Sequence, residues 1–304
     1  MSTSPRARVA LSLALLYVIW GSTYLSMRIA LGAFPPLLMA GARHLTAGAA
    51  MYAWLRFRGA APPTRRQWLG SGAVGLLLLG FGNAGVAVAE QWVASGLAAV
   101  VVASVPLWAA GFSALLGRWP ARREAAGLAI GAAGVSLLNV GQLSGESRGA
   151  LVLLGASAAW ALGSVLSRRL DQAAGLMASA AQMVVGGAAL LGVALAHGDR
   201  PAFAAGPVAA ELYLIVFGSM VAYSAYGYLL RTVSSSLATS YAFVNPVVAV
   251  LLGVALGHEA IGWGAVGAMA VILAGVALVV LPRPLSKVPL QQVVPCVTNS
   301  SKSL

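Results

Sequence analysis

Apolar runs of about twenty residues, divided by short charged or proline-bearing joints, fill nearly all of this 304-residue chain, and that feature leaves few folds open. A run of that length crosses the hydrocarbon core of a bilayer as a helix. Within lipid only a helix or a closed barrel satisfies its own backbone hydrogen bonds. The runs fall at 9–31, 35–56, 67–90, 95–117, 124–143, 149–168, 174–196, 208–230, 235–257 and 260–281. Pro35-Pro36, Pro62-Pro63, Trp119-Pro120, Gly145-Glu146, Asp199-Arg200-Pro201 and His258-Glu259 mark the joints, and the faintest joint is Leu229–Leu237. Only 9% of the residues are charged and 60% are hydrophobic, whereas a soluble domain carries roughly a quarter charged residues. The alternating apolar and polar residues of barrel strands do not occur. The expected fold class is an all-α membrane protein with ten transmembrane helices.

Charge position explains the net charge of +12. If ten spans alternate in direction, one side collects Arg6, Arg8, Arg56, Arg58, Arg65, Arg66, Arg118, Arg122, Arg123, Arg168, Arg169, Arg231, Arg283, Lys287 and Lys302. The opposite loops hold only Arg148 and Arg200, with Arg28 near that end of the first helix. Lys and Arg favour the cytoplasmic side, so both termini are expected there, in an inner (plasma) membrane. The basic balance is then a topology signal, and a nucleic-acid partner is not expected. The N-terminal apolar run is too long for a cleavable signal core and reads as a retained span. The single cysteine, Cys296, lies in a polar tail, so no internal disulfide or metal-ligand spacing exists, and neither a cofactor nor a metal is expected.

Sliding the chain against itself by 140 residues superposes Trp20 on Trp160, Arg28 on Arg168, Pro106 on Pro246 and Gly127 on Gly267. Each half then contains five spans, an odd number, so the second half enters the membrane upside down relative to the first. The expected organisation is a short N-terminal tail (1–8), a five-helix repeat (9–143), a second, inverted repeat (149–281) and a C-terminal tail (282–304). Inverted repeats of this kind are a transporter signature, with a midplane site exposed to each side in turn.

The chain carries Trp20-Gly21-Ser22-Thr23-Tyr24 and Arg43 in its first two spans, and Ser104-Val105-Pro106-Leu107 in the fourth. Trp160 with Ser167-Arg168-Arg169, and Phe243-Val244-Asn245-Pro246, follow in the second half. In these motifs, their order and their spacing, the chain resembles the ten-helix EamA-type exporters of the drug/metabolite transporter superfamily. The resemblance covers roughly residues 9–281. One departure is Gly117-Arg118 and Gly257-His258-Glu259, where such domains often carry Gly-Glu. Within the superfamily the chain looks most like the branch that exports aromatic and other neutral amino acids. That resemblance implies an exporter of small solutes.

Deep polar and aromatic residues are the candidates for the site. Ionisable groups inside a span are costly and usually face a cavity or a partner. Arg43 and His44 lie near the middle of the second span. Arg43 reads either as an anchor for backbone carbonyls or as a contact for a substrate carboxylate, and His44 as a gating or coupling group. Glu90 reads as a solvated cap or as part of an outer vestibule. No Asp or Glu occupies the middle of a span, which favours facilitated export over direct proton coupling. Trp20, Trp108 and Trp160 are mid-span, beyond the reach of an interfacial belt, and read as an aromatic wall. Trp54, Trp68, Trp92, Trp119 and Trp263 lie at span ends, where interfacial anchoring suffices. Tyr24, Asn83, Tyr223, Tyr226 and Asn245 complete the expected substrate-binding set, with Asn83 and Tyr223 in equivalent places of the repeat, and Tyr241 and Phe243 add to the aromatic supply. Pro106 and Pro246 read as paired mid-helix gating hinges, since an interior proline removes a backbone hydrogen bond and kinks the helix.

Three function classes compete. An exporter of neutral and aromatic amino acids, working by alternating access, leads. A drug or nucleoside-type metabolite carrier is the runner-up, although a lipophilic cation would want a buried carboxylate. A non-transport structural role is the remote alternative. No clustered carboxylates or Ser/His/Asp set occurs in the spans, so an enzyme is not expected. The expected partners are a small-molecule solute and the lipid bilayer.

Overall fold

The computed structural model describes residues 4–93, 98, 101–138, 147–257 and 263–280. The C-terminal tail with Cys296, and the Gly145-Glu146 and His258-Glu259 joints, lie outside the described residues. Among these residues the chain is helical throughout, without a strand. Helix α1 spans Pro5–Ala30, opened by Ser4, whose hydroxyl accepts from the Ala7 N–H. Helix α2 (Pro36–Phe57) starts on a proline, which is tolerated in the first turn because that N–H has no helical partner. Helix α3 (Arg65–Ala89) begins with a capping box, Thr64 and Gln67 satisfying each other's backbone N–H. There follow α4 (Val105–Leu115), α5 (Arg122–Leu138), α6 (Ser147–Leu166), α7 (Leu176–Ala196) and α8 (Ala205–Thr232). After a single turn at Ser235–Ala238 come α9 (Tyr241–Gly257) and α10 (Trp263–Val280).

Five of these elements are long and apolar enough to cross a membrane: α1, α3, α6, α7 and α8. Helix α2 has 22 residues, but the polar pair Arg43–His44 interrupts its apolar run. The burial pattern suits lipid. Along α1, Leu11, Val18, Leu25 and Ile29 are exposed, whereas Leu13, Leu16, Trp20 and Met27 are buried. Both stripes are apolar, as expected where the outer solvent is hydrocarbon.

Contacts between helices follow a reciprocal pattern. Helix α1 packs on α8 and α9, while α6 packs on α3 and α4; α2 runs along α7, and α5 along α10. The α2–α7 and α5–α10 seams are made of glycine. A Cβ built at Gly41 would stand 2.5 Å from the Leu191 nitrogen, and one at Gly48 would stand 2.7 Å from the Val184 nitrogen. At the other seam, a Cβ on Gly127 would stand 2.7 Å from the Gly275 carbonyl oxygen. Small residues let backbones touch, which is how helices gain packing energy in lipid, where no hydrophobic difference drives them together.

Three local features depart from ten uninterrupted helices. The first is two π-helical stretches, Leu76–Asn83 inside α3 and Leu214–Tyr223 inside α8. Their last residues are 140 positions apart. Such segments widen a helix and turn its side chains, and they concentrate at functional sites. The second is a turn at Ala103–Ser104 that breaks the expected 95–117 span, and another at Thr239–Ser240 that breaks 235–257. The third corrects the reading of Pro106. It sits in the first turn of α4, where it costs no hydrogen bond, rather than in mid-helix. Pro246 lies inside α9, in its second turn.

Candidate functional site

Where the two π stretches face α1, α2 and α6, the bundle encloses a central cavity. It is lined by Trp20, Thr23, Tyr24, Arg43, His44, Asn83, Ser157, Trp160, Tyr223, Tyr241 and Asn245, together with apolar Met27, Leu79, Val86, Val102 and Val105. Its free space is about 70 Å³, far below the roughly 300–1,000 Å³ of occupied ligand pockets. This is a contracted state, and a bound solute would require its walls to part.

Polar groups cross the cavity wall as one chain of hydrogen bonds. Arg43 Nε donates to Ser219 Oγ at 2.8 Å. Ser219 Oγ lies 3.3 Å from His44 Nδ1, and His44 Nε2 lies 3.1 Å from Asn83 Oδ1. A guanidinium cannot accept and an amide oxygen cannot donate. His44 Nε2–H therefore donates to Asn83, and in that neutral tautomer Nδ1 accepts from the Ser219 hydroxyl. This chain ties α2 to both π stretches, one through Asn83 and the other through Ser219. Arg43 and His44 are both 2% exposed, and both line the cavity although they are successive on one helix. The alternative role for Arg43, holding backbone carbonyls, gives way to a side-chain bond.

Aromatic groups close one end. Trp20 and Trp160 meet edge to face with centroids 5.5 Å apart, and Trp20 lies 4.6 Å from Tyr241. Trp20 Nε1 donates to the Gly218 carbonyl at 3.0 Å, inside the second π stretch. Trp160 Nε1 donates to the Tyr226 hydroxyl at 3.1 Å. Tyr223 donates to Gln182 Oε1 at 2.7 Å. Buried Trp and Tyr thus keep their polar tips satisfied while their ring faces line the cavity. Beyond this box Arg169 donates to the Leu116 carbonyl at 2.6 Å, and Arg168 to that of Val233, binding the end of α6 to the ends of α4 and α8.

A second hollow lies toward the other end. One helical turn beyond Tyr24 and Val86 lies a vestibule of about 600 Å³ lined by Arg28, Phe34, Glu90, Gln91 and Arg200, among others. Glu90 caps α3, but it is no solvated cap: both carboxylate oxygens are buried and lack a hydrogen bond.

Of the residues expected in the site, Trp20, Tyr24, His44, Asn83, Trp160, Tyr223 and Asn245 surround the one cavity. Two do not. Trp108 is 40% exposed and stacks on Phe112, away from the cavity. The turn at Ala103–Ser104 and the fresh start of α4 rotate it outward. Tyr226 is fully buried behind the wall, bonded to Trp160 and Ser164. The structure adds Thr23 and Ser157, and places Arg43 and Tyr241 at the wall. Phe243 packs elsewhere, in an apolar cluster with Leu128 and Ile272. A further departure concerns acids. Glu211 lies near the start of α8, not at mid-span, yet it is only 6% exposed and interacts electrostatically with Arg43. The absence of mid-span acids therefore no longer argues for simple facilitation. No sequence signal marked Ser219 or Glu211, because their importance lies in what a distant helix brings to them.

Comparison with known proteins gives the family and the fold. The pattern of the EamA-like transporter family matches residues 8–140 and again 147–281. The chain is 47% identical over 277 residues to the uncharacterized inner membrane transporter YedA of Escherichia coli (strain K12), covering 88% of this chain and 89% of that one. It is 26% identical over 289 residues to the uncharacterized transporter YvbV of Bacillus subtilis (strain 168), covering 92% and 93%. A solved crystal structure with 22% identity superposes with a TM-score of 0.73, over 90% of this chain and 96% of the other.

Proposed function

This chain belongs to the EamA-like transporter family, and from that premise we propose that it exports small solutes, foremost neutral and aromatic amino acids, from the cytoplasm across the inner membrane. The observation that carries the reading is the central cavity, walled by Trp20, Trp160, Tyr223 and Tyr241 and furnished with Arg43, His44, Asn83 and Asn245. Ligand pockets are largely apolar with a few placed polar groups, and an amino acid with an aromatic side chain presents the complementary surface. The 47% identical inner membrane transporter supports the location.

Alternating access is the proposed mechanism. Two inverted five-helix halves are supported by the reciprocal packing of α1 on α8–α9 and α6 on α3–α4, and by the family pattern matching twice. In the present state the Arg168–Arg169 end is sealed and the Arg28–Glu90 end opens to a vestibule. Exchange between the halves would unseal the first end and close the second. Both termini and the Arg65 loop are assigned to the cytoplasm on the distribution of Lys and Arg.

The test is counterflow of radiolabelled L-phenylalanine by purified protein in liposomes, run with and without a pH gradient. Substrate competition by other neutral amino acids supports the reading, and competition by nucleosides or lipophilic cations alone overturns it. Labelling of cysteines placed at Arg65 and Arg200 in cells tests the topology: an outward-facing Arg65 reverses it.

A further inference from the structure

Arg43 reaches the cavity with bonding capacity to spare. Its Nε is used by Ser219, but Nη1 is buried without a hydrogen bond. Gly218 makes that placement possible, since a Cβ there would stand 2.6 Å from Nη2. The acid acting on it, Glu211, is also unspent: both of its oxygens are buried without a hydrogen bond. The guanidinium is therefore not consumed by a closed ion pair. Removing a cation from water is costly unless charge and hydrogen bonds are both returned to it, and a planar guanidinium matches a carboxylate in both respects. On the same cavity wall, Asn245 Oδ1 is buried and accepts no hydrogen bond. It can receive an ammonium proton, and the ring faces of Trp20 and Trp160 attract a cation.

We infer that Arg43 is the carboxylate anchor of the cavity, so that the solutes taken are carboxylates and zwitterions, with the carboxylate on Arg43 and the ammonium of a zwitterion toward Asn245. The inference deepens, and rests on, the proposed reading of the chain as an amino-acid carrier. It gives Glu211 a defined place as the internal counter-charge of Arg43 while the cavity is empty. It also disfavours amines that lack a carboxylate, because they bring a second positive charge into the cavity and offer Arg43 Nη1 no acceptor.

The experiment compares liposome counterflow of radiolabelled L-phenylalanine, 3-phenylpropionate and 2-phenylethylamine. The wild-type protein should exchange the two carboxylates and leave the amine behind. Arg43→Gln should lower exchange of both carboxylates by about tenfold or more, roughly the loss of one charge-assisted pair. Arg43→Lys should keep part of it, having the charge without the fork. Because Arg43→Gln strands Glu211, the double variant Arg43→Gln/Glu211→Gln serves as the folded control, and it too should fail to exchange carboxylates. If the wild type moves the amine as fast as L-phenylalanine, or the double variant exchanges L-phenylalanine at the wild-type rate, the anchor is wrong and the carrier reading stands. If the wild type exchanges none of the three, the amino-acid reading falls and the anchor with it.

Discussion

Trp20 and Trp160 stand 140 residues apart in sequence and meet edge to face at 5.5 Å in the wall of one cavity. Each is the anchor of its own half of the chain, and their indole N–H groups differ in partner. Trp20 bonds a π-helical carbonyl at Gly218, and Trp160 bonds the Tyr226 hydroxyl.

That difference predicts unequal tolerance. Trp160→Phe strands no main-chain carbonyl and leaves Tyr226 its bond to Ser164, so counterflow of L-phenylalanine should fall only a few-fold. Trp20→Phe removes the buried bond that ties α1 to the Gly218 carbonyl of the second π stretch, at about 1 kcal/mol, and should cost both flux and melting temperature. Equal effects of the two substitutions would contradict the assignment of partners.

The chain from Arg43 through Ser219 and His44 to Asn83 should behave as one unit. Ser219→Ala deprives both the Arg43 Nε and the His44 Nδ1 of their partner, so a loss of about 1–3 kcal/mol is expected, read as a lower melting temperature in detergent. In a double-mutant cycle, Ser219→Ala and Asn83→Leu should be non-additive, since both act on the same imidazole. Additive losses would show two separate contacts.

A glycine in a seam should resist enlargement, and one outside the seams should not. At Gly187 an added Cβ would collide with the main chain of Leu45 on α2, whereas nothing lies within 4 Å of one at Gly111 on α4. Gly187→Ala should destabilise by about 1–3 kcal/mol through overpacking. Gly111→Ala should be neutral or slightly stabilising, because alanine is the better helix former. Thermal melts of the two variants in one detergent settle the comparison.

The two prolines are no longer equivalent. Pro106 opens α4, so Pro106→Ala should leave flux and cysteine accessibility close to wild type. Pro246 leaves the Ala242 carbonyl without its usual helical donor, so Pro246→Ala should restore that bond, stiffen α9 and slow turnover while solute binding persists. Efflux rates together with accessibility of cysteines at the two mouths distinguish these outcomes. Equal effects of both substitutions would restore the symmetric hinge.

The sequence by itself determined that the chain is helical and placed most element boundaries within a few residues. The 9–31 run became Pro5–Ala30, 35–56 became Pro36–Phe57, and 174–196 became Leu176–Ala196. Hydropathy is a local property and the bilayer imposes the length, so neighbours in sequence suffice for that much. Rotation of each helix about its axis is another matter. A helix in lipid is apolar on its outer face as well as its inner one, and the polar stripe that orients a helix in water is missing. The sequence therefore placed Trp108 beside Trp160, and only packing turned it away. The breaks at Ala103–Ser104 and Thr239–Ser240 and the two π stretches border residues that line the cavity, and hydropathy does not mark them. The meetings of Arg43 with Ser219 and of His44 with Asn83 likewise depend on helices brought side by side, with Gly218 next to Ser219 leaving room for the Arg43 guanidinium. Tertiary structure decided which of the deep polar residues share one cavity.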